Sequence, residues 1–320
     1  MKLFQEFSDV TVRTETIPEK SDLEKVLDTE EEIIRQYKTN RLFDKTSRHG
    51  GEGYLLLHAS VQDKLREVNC SSEILRAYIS MRDNSEEKTE SIIRGMYSAA
   101  LLEIGSTTES NENFFINGKG RTWNYLFYQV RHAKNITIEH FKGNKILSCA
   151  GSHKGNVENV IVNHVIGNEI LQGAGNTDGT VKHLFLNDIQ GNHTLASTGL
   201  DRGTAEHIAL NQIRGDYTLA YTTAKDGHIH GITINKVKGL FTLDHINKYY
   251  QNNKSSFLYG IQMSTKQEEI LEKMKSLIEN MHTLLPIEQK ETYKEIARLQ
   301  KEIFLEKNMW KKAHEKFSAT

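Results

Sequence analysis

Hydrophobic and polar positions recur with a period of 24 residues between about residue 133 and residue 246. Glycine occupies one fixed position of this repeat, leucine another, and branched apolar residues occupy several more. Inside each repeat, apolar side chains lie two residues apart, as at Leu184 and Leu186, which predicts short β-strands and not helices. The fixed glycines and leucines are Gly143, Gly167, Gly191, Gly215 and Gly239, and Leu147, Leu171, Leu195, Leu219 and Leu243.

A unit of this size is too small to bury its own apolar face, so successive repeats must stack on one another. Stacking in register gives parallel β-sheets with about 4.8 Å between coils. We therefore predict a parallel β-helix of five to six coils, in a chain that is mainly β with additional α. A 24-residue coil without a hexapeptide signature favours the right-handed form.

Polar residues at equivalent positions of successive repeats, which we call columns, support the same register. One column is all asparagine, and stacked amides can hydrogen-bond to the amides above and below. Another column alternates in charge from repeat to repeat, which avoids like charges on neighbouring strands. The asparagine column is Asn163, Asn187, Asn211 and Asn235, and the alternating column is Lys154, Asp178, Arg202 and Asp226.

The regions on either side of the repeats lack the 24-residue period and carry helix signals. Residues 1–110 are predicted to be mainly helical, and a helix within 89–105 is expected to cap the first coil, because the open end of a solenoid exposes apolar side chains. The β-helix itself is predicted over 111–262. Residues 263–320 carry heptad-like apolar spacing on either side of Pro286, which predicts a helical hairpin. This hairpin either packs within the chain or binds a partner as a coiled coil.

The composition narrows the functional classes. Lys and Arg total 41 and Asp and Glu total 42, so the formal net charge is −1. Nucleic acid stays an alternative partner that this charge does not support, and no membrane partner is predicted. Two cysteines, Cys70 and Cys149, are too few for a disulfide framework or a four-cysteine zinc site. No segment approaches the roughly 20 apolar residues of a membrane span, and the N-terminus lacks the apolar stretch of a signal peptide. We therefore expect a cytoplasmic protein.

A short motif within the repeats carries a family resemblance. The run Asn176-Thr177-Asp178-Gly179 is followed one repeat later by Asp201, and one repeat further by Asp226-Gly227-His228. This order is similar to that of the polygalacturonase family, a right-handed parallel β-helix of the pectin-lyase-like superfamily with Asn-Thr-Asp, Asp-Asp and Gly-His-Gly motifs on successive coils. The resemblance implies a polysaccharide-active hydrolase or lyase with Asp178, Asp201 and His228 at its catalytic site.

The repeat offers a second interpretation of these residues. The segments around Asp178 and Asp201 are the same turn in successive coils, and Arg202 stands where the family has the second aspartate of its pair. Asp178 also belongs to the alternating charge column, whose cations would hold its pKa down. A lowered pKa is the wrong direction for a general acid.

One pair of histidines is the best candidate for a metal site. His183 and His207 lie one repeat apart in the same column. Two imidazoles fall short of the three or four ligands that zinc takes, so we predict no metal and no other cofactor.

The leading hypothesis is a non-catalytic β-solenoid that acts as a binding or scaffold protein, through a protein partner or by self-assembly. Ile161 and Phe185 are expected to be exposed, with Ile166 nearby, and to form an apolar contact site. Trp310 in the hairpin is a further candidate contact. The alternative is a divergent, polygalacturonase-like enzyme that uses the residues of the Asn-Thr-Asp resemblance.

Overall fold

The computed structural model describes residues 20–40, 52–82, 87–107, 113–222, 226–240 and 265–280, together with individual positions between 283 and 302. In these residues four helices come first, a parallel sheet of six strands follows, and a further helix comes last. The elements are α1 (Asp22–Asn40), α2 (Glu52–Lys64), α3 (Ser72–Met81), α4 (Lys88–Ser106), β1 (Asn113–Asn117), β2 (His132–Glu139), β3 (Asn156–Ile166), β4 (Thr180–Gln190), β5 (Thr204–Arg214), β6 (His228–Asn235) and α5 (Thr265–Asn280).

The six strands pair in chain order, each parallel to the next, as successive coils of a β-solenoid of about five turns. From β2 onward, the residues that pair across neighbouring strands are 24 positions apart, as Asn163 and Asn187 are. The predicted parallel β-helix and its register are therefore confirmed. The register holds because a slip of one residue would turn every apolar side chain of a strand away from the interior.

The interior of the coils is filled by apolar columns. Aliphatic and aromatic side chains from successive coils stack on one another and are at most 4% exposed. Fully burying such a side chain contributes about 1.5–3 kcal/mol, so each added coil lengthens the same core. Two of these columns are Ile136, Val160, Leu184, Ile208 and Ile232, and Phe141, Val165, Ile189 and Ile213.

The asparagine column forms a ladder of side-chain hydrogen bonds that ends at a buried carboxylate. Asn211 Nδ2 donates to Asn187 Oδ1, and Asn187 Nδ2 donates to Asn163 Oδ1, each at 2.7 Å. Asn163 Nδ2 then donates to Glu139 Oε1 at 3.1 Å. These four side chains are at most 1% exposed, so the ladder satisfies polar groups that water does not reach. The backbone of Asn235 continues the column, while its side chain lies outside the described residues.

The segments between strands contain a ribbon of consecutive tight turns. Ser148 N–H donates to the Lys145 carbonyl and Ala150 N–H donates to the Leu147 carbonyl, so a new turn begins every two residues. The third residue of each such turn has a positive φ, and in four coils a buried leucine takes this position. The left-handed region costs an L-residue roughly 1–2 kcal/mol, so contacts between coils must impose it. The leucines are Leu147, Leu171, Leu195 and Leu219, with φ from 54° to 60°.

Helix α4 packs directly on the first coil. A Cβ atom at Gly95 would lie only 2.2 Å from the Tyr125 carbonyl oxygen, so glycine is required at this close approach. Ser98 Oγ accepts a hydrogen bond from Phe127 N–H at 3.0 Å. The buried side chains of α1 to α4 and those of the coils form one continuous apolar cluster. The N-terminal helices thus cover the first coil.

The outer face of the sheet carries an apolar column that α5 covers. Ile161 and Phe185 are 1% and 0% exposed, and they pack with Ile270 and Met274 of α5. The expectation that Ile161 and Phe185 are exposed is therefore wrong. The period-2 pattern identifies the side chains that point away from the interior, but it does not identify what packs on them from a distant part of the chain.

The second arm of the C-terminal hairpin contributes to the same cluster. Ile296 and Leu299 are buried against it, and Lys273 of α5 forms an ion pair with Glu295 at 2.8 Å. The described positions between 288 and 302 are helical, as the heptad-like spacing predicts. Trp310 lies outside the described residues.

Candidate functional site

The three residues of the polygalacturonase resemblance lie on successive coils, with Asp178 and Asp201 in turns and His228 at the start of β6. The backbone N–H of Asp178 donates to the carbonyl of Asp201 on the next coil at 3.1 Å. His228 begins the coil beyond, where it pairs with Thr204. The structure therefore places these residues on three successive coils, as the repeat predicts.

The Asp178 carboxylate is held by an ion pair. Arg202 donates to both of its oxygens, at 2.7 and 2.8 Å. The hydrogen bonds and charge of Arg202, followed by the charge of Lys154, lower the pKa of Asp178. A carboxyl group with a lowered pKa is ionised at neutral pH and is a poor proton donor, as the charge column predicts.

His183 and His207 stack in parallel, with ring centroids 5.2 Å apart and an interplanar angle of 7°. Burial, followed by the charges of His183 and His230, lowers the pKa of His207 to about 4. In the described part of the chain, no group of three or more His, Cys, Asp or Glu side chains is placed to hold a metal ion. The two rings thus form a stacked pair on the sheet, and the lowered pKa keeps His207 neutral at pH 7.

A different site lies at a corner that each coil turns, directly after the end of β2 and β6 and two residues before the end of β3, β4 and β5. The residue after the ladder asparagine adopts a left-handed backbone, which turns the chain and directs its side chain outward. Successive coils therefore present their corner side chains in one line. These corner residues are His140, His164, Asp188, Gln212 and Lys236, with φ from 49° to 57°.

The first coils form a groove of about 370 Å³ along this corner, which we call the corner groove. Lys119 and Lys142 supply two cations, and Ile166 supplies an apolar contact with 49% of its surface exposed. The groove thus combines positive charge with an exposed aliphatic side chain. Its lining residues are Lys119, Gly120, His140, Phe141, Lys142, His164, Ile166, Asp188 and Gln190.

A stacked histidine pair lines the corner groove. The rings of His140 and His164 are parallel within 9°, with centroids 4.8 Å apart. His164 Nδ1 lies 2.8 Å from Asp188 Oδ2. An ionised carboxylate can only accept a hydrogen bond, so His164 donates and its tautomer is set by Asp188. The Asp188 carboxylate is therefore hydrogen-bonded to His164 of the same column, and Lys119 and Lys142 line the same groove.

A second cluster of titratable groups lies where the helices meet the first coil. Glu103 is 5% exposed and accepts hydrogen bonds from Tyr54 Oη at 2.6 Å and from the Arg131 backbone N–H. His58 Nε2 lies 3.3 Å from its other oxygen. Burial raises the pKa of Glu103 to about 7, against the opposing effect of these hydrogen bonds. The cluster is internal, so we assign it to the packing of the helices on the coils.

Sequence reasoning did not identify the corner groove. It followed columns in which charge alternates, and the column beside the corner residues has no alternation because it contains Lys142, Ile166, Gln190, Arg214 and Lys238. That absence is the signal that could have drawn attention to this corner.

The chain was compared with known protein families, curated proteins and solved structures. None of them matches. The polygalacturonase resemblance therefore rests on its short motifs alone. None of the described helices is long and apolar enough to cross a membrane.

Proposed function

We propose that this protein is a non-catalytic β-solenoid binding or scaffold protein that contacts a protein partner, or a second copy of itself, through the corner groove. The observation that carries the proposal is a concave, partly apolar, cationic surface on a rigid stack of coils. Stacked coils suit such a role because they present one side chain per coil at a fixed spacing.

The other candidate residues are already engaged by contacts within the chain, which supports the same proposal. Asp178 is tied to Arg202, and α5 covers Ile161 and Phe185. A partner that used the apolar column would first have to displace α5. The corner groove needs no such rearrangement, and Ile166 is already exposed there.

The test is capture from native lysate with the tagged full chain, together with light scattering to find its oligomeric state. The double variant Lys119→Glu, Lys142→Glu reverses the charge of the groove, and we expect it to lose the captured protein or the oligomer. Arg66→Glu is the matched control, because Arg66 is an exposed cation on the helical region. Equal capture by the groove variant and the wild type would refute the corner groove as the contact.

The polygalacturonase-like alternative stays a prediction. Its test is incubation with a panel of oligosaccharides, comparing the wild type with Asp178→Asn. Product formed by the wild type and lost in the variant would favour the enzyme over the binding protein.

A further inference from the structure

Beyond the corner groove, the same corner carries further positive charge on the last coils, and we call the two groups of cations together the basic stripe. Between the two groups the column holds Ile166 and Gln190, and the corner holds Asp188, whose carboxylate contacts His164. Lys142, Arg214 and Lys238 lie in the column beside the corner residues. Lys236 is itself a corner residue, Lys119 lines the corner groove on the first coil, and all five are exposed. Within the described ranges, none of them forms an ion pair with a carboxylate. The stripe consists of Lys119, Lys142, Arg214, Lys236 and Lys238.

Elsewhere on the coils, cations in register are compensated. Lys182 pairs with Glu158 at 3.1 Å and Arg202 pairs with Asp178 at 2.7 Å, in each case across neighbouring coils. Lys145 contacts Glu169 in the same way at 2.9 Å. In these columns the repeat thus places opposite charges next to each other.

The stripe breaks this rule at a directly paired position. Arg214 and Lys238 are partners in a parallel β-bridge, so two like charges face each other across adjacent coils. Like charges directly opposite one another destabilise a sheet by a few tenths of a kcal/mol to about 1 kcal/mol. A chain that otherwise alternates its charges keeps this unfavourable pair, and such local conflicts are typical of functional sites.

We propose that the basic stripe binds an extended acidic segment of a protein partner, laid along the solenoid axis with an apolar side chain against Ile166. This inference rests on the proposed function and specifies its ligand. From Lys142 to Lys238 the stripe crosses four coil steps, which is about 19 Å at the strand spacing. An extended peptide rises about 3.3 Å per residue, so a segment of about six residues spans it.

The side chains of the stripe favour a peptide over a nucleic acid. Proteins that bind single-stranded nucleic acid combine cations with aromatic side chains on which the bases stack. In the described part of this corner the aromatic residue Phe141 is buried, and the two imidazoles stack on each other. The exposed Ile166 instead offers an aliphatic contact that suits a peptide side chain.

The experiment measures fluorescence anisotropy of a labelled Glu-Ala repeat peptide, long enough to span the stripe, on the full chain. We expect saturable binding that weakens as salt rises, because exposed charges are screened. The double variant Arg214→Gln, Lys238→Gln should weaken binding by about tenfold, which corresponds to loss of one or two charge-assisted contacts. The same variant should unfold at a higher denaturant concentration than the wild type, because it removes the like-charge pair.

The matched control is Lys182→Gln, which removes a compensated cation of the solenoid outside the stripe. It should bind the acidic peptide as the wild type does. A Gln-Ala peptide of the same length tests whether charge is read, and an oligothymidylate tests the nucleic-acid alternative.

Each remaining outcome is decisive. Equal binding of the neutral peptide, or binding that the double variant retains, would overturn the acidic ligand. Binding of oligothymidylate without the peptide would overturn it in favour of a nucleic acid. If neither probe binds while the lysate partner is still lost in the groove variant, the ligand class is wrong and the binding function stands. If that partner is also retained, both proposals fail.

Discussion

Twenty-seven residues other than glycine have a positive φ in the described chain, and most of them lie on the coils. Hydrogen bonds to the neighbouring coils impose this conformation on each residue. The N–H of Leu147 donates to the preceding coil and that of Cys149 donates to the following one, so the backbone must reverse its direction every two residues. Alternation of this kind requires a left-handed residue at each second position, whatever side chain the sequence supplies.

The strain should be released by glycine at an exposed left-handed site. Lys154 is exposed with φ 64°, and we expect Lys154→Gly to raise the free energy of unfolding by about 0.5–1 kcal/mol. Lys154→Gln removes the charge without relieving the strain, and it should be nearly neutral. Lys142→Gly, at an exposed extended position, should destabilise by a similar amount because glycine is costly there. Urea titrations should rank the three variants in stability as Lys154→Gly first, Lys154→Gln second and Lys142→Gly last. A loss of stability in Lys154→Gly would contradict this expectation.

Glu103 should make stability depend on pH. Its pKa is about 7 in the folded chain and about 4.3 in the unfolded chain, so the folded state binds the proton more tightly. The stabilisation is therefore fully present below about pH 4 and is lost as the pH rises through 7, by up to about 4 kcal/mol. Burial lowers the pKa of the neighbouring His58. Its contribution to folding stability therefore has the opposite pH dependence and is lost as the pH falls below about 6.5.

The comparison with Glu103→Gln isolates the carboxyl group, because both variants retain His58, Tyr54, Arg131 and His132 around the site. We expect the difference in unfolding free energy between Glu103→Gln and the wild type to shift in favour of the glutamine between pH 5 and 8. Parallel stability profiles over this interval would show that the pKa of Glu103 is not raised.

At the scale of elements, helix α5 of the same chain covers the apolar column, where the sequence pattern suggested contact with a separate protein partner. Both sides of this contact are visible in the sequence: Ile161 and Phe185 point outward on the strands, and α5 has an apolar seam. Their joining was not predictable, because more than eighty residues separate Phe185 from Ile270 and no local period specifies the pairing. Packing between distant segments is where pattern reasoning is weakest.

A charge in the seam should release α5 and leave the coils folded. Met274 is fully buried, so Met274→Glu places an unpaired carboxylate against Phe185 and its neighbours. We expect faster proteolysis of the C-terminal segment and increased binding of a hydrophobic dye, with a β-rich circular dichroism spectrum retained. Ser276→Glu lies on the exposed side of the helix and serves as the control. Unchanged proteolysis in Met274→Glu would show that α5 does not cover the column.

At the scale of the whole molecule, the 24-residue spacing predicted the solenoid because stacked coils require compatible side chains at every equivalent position. Glycine, leucine, asparagine and charged columns all agreed on one register, and the paired residues confirm it. The corner groove was not predicted, although its residues occupy the same repeat. Its groove depends on how the corner curves in three dimensions, and this curvature comes from left-handed residues that have no compositional signature.

A register of this kind allows a coil to be removed. Thr204 and His228 are register partners, so deletion of residues 204–227 joins two equivalent positions. We expect the shortened chain to fold cooperatively, with β-rich circular dichroism and modestly lower stability, because each coil contacts mainly its neighbours. Deletion of 204–226 leaves one extra residue and turns the last strand over, so that variant should lose its last coil. Equal behaviour of the two deletions would contradict the stacking.

The carboxylate at the foot of the asparagine ladder sets a direction for the whole row. Both carboxyl oxygens of Glu139 accept, Oε1 from Asn163 and Oε2 from Asn117. Asn163 therefore turns its nitrogen toward Glu139, and the oxygen left over obliges Asn187 and then Asn211 to do the same. Glutamine at position 139 offers either a donor or an acceptor, and the amides would then be free to flip together with little change in energy. The side chain of Glu139 thus selects one of the two orientations of the asparagine amide dipoles. This choice is passed along three coils by hydrogen bonds, with no movement of the backbone.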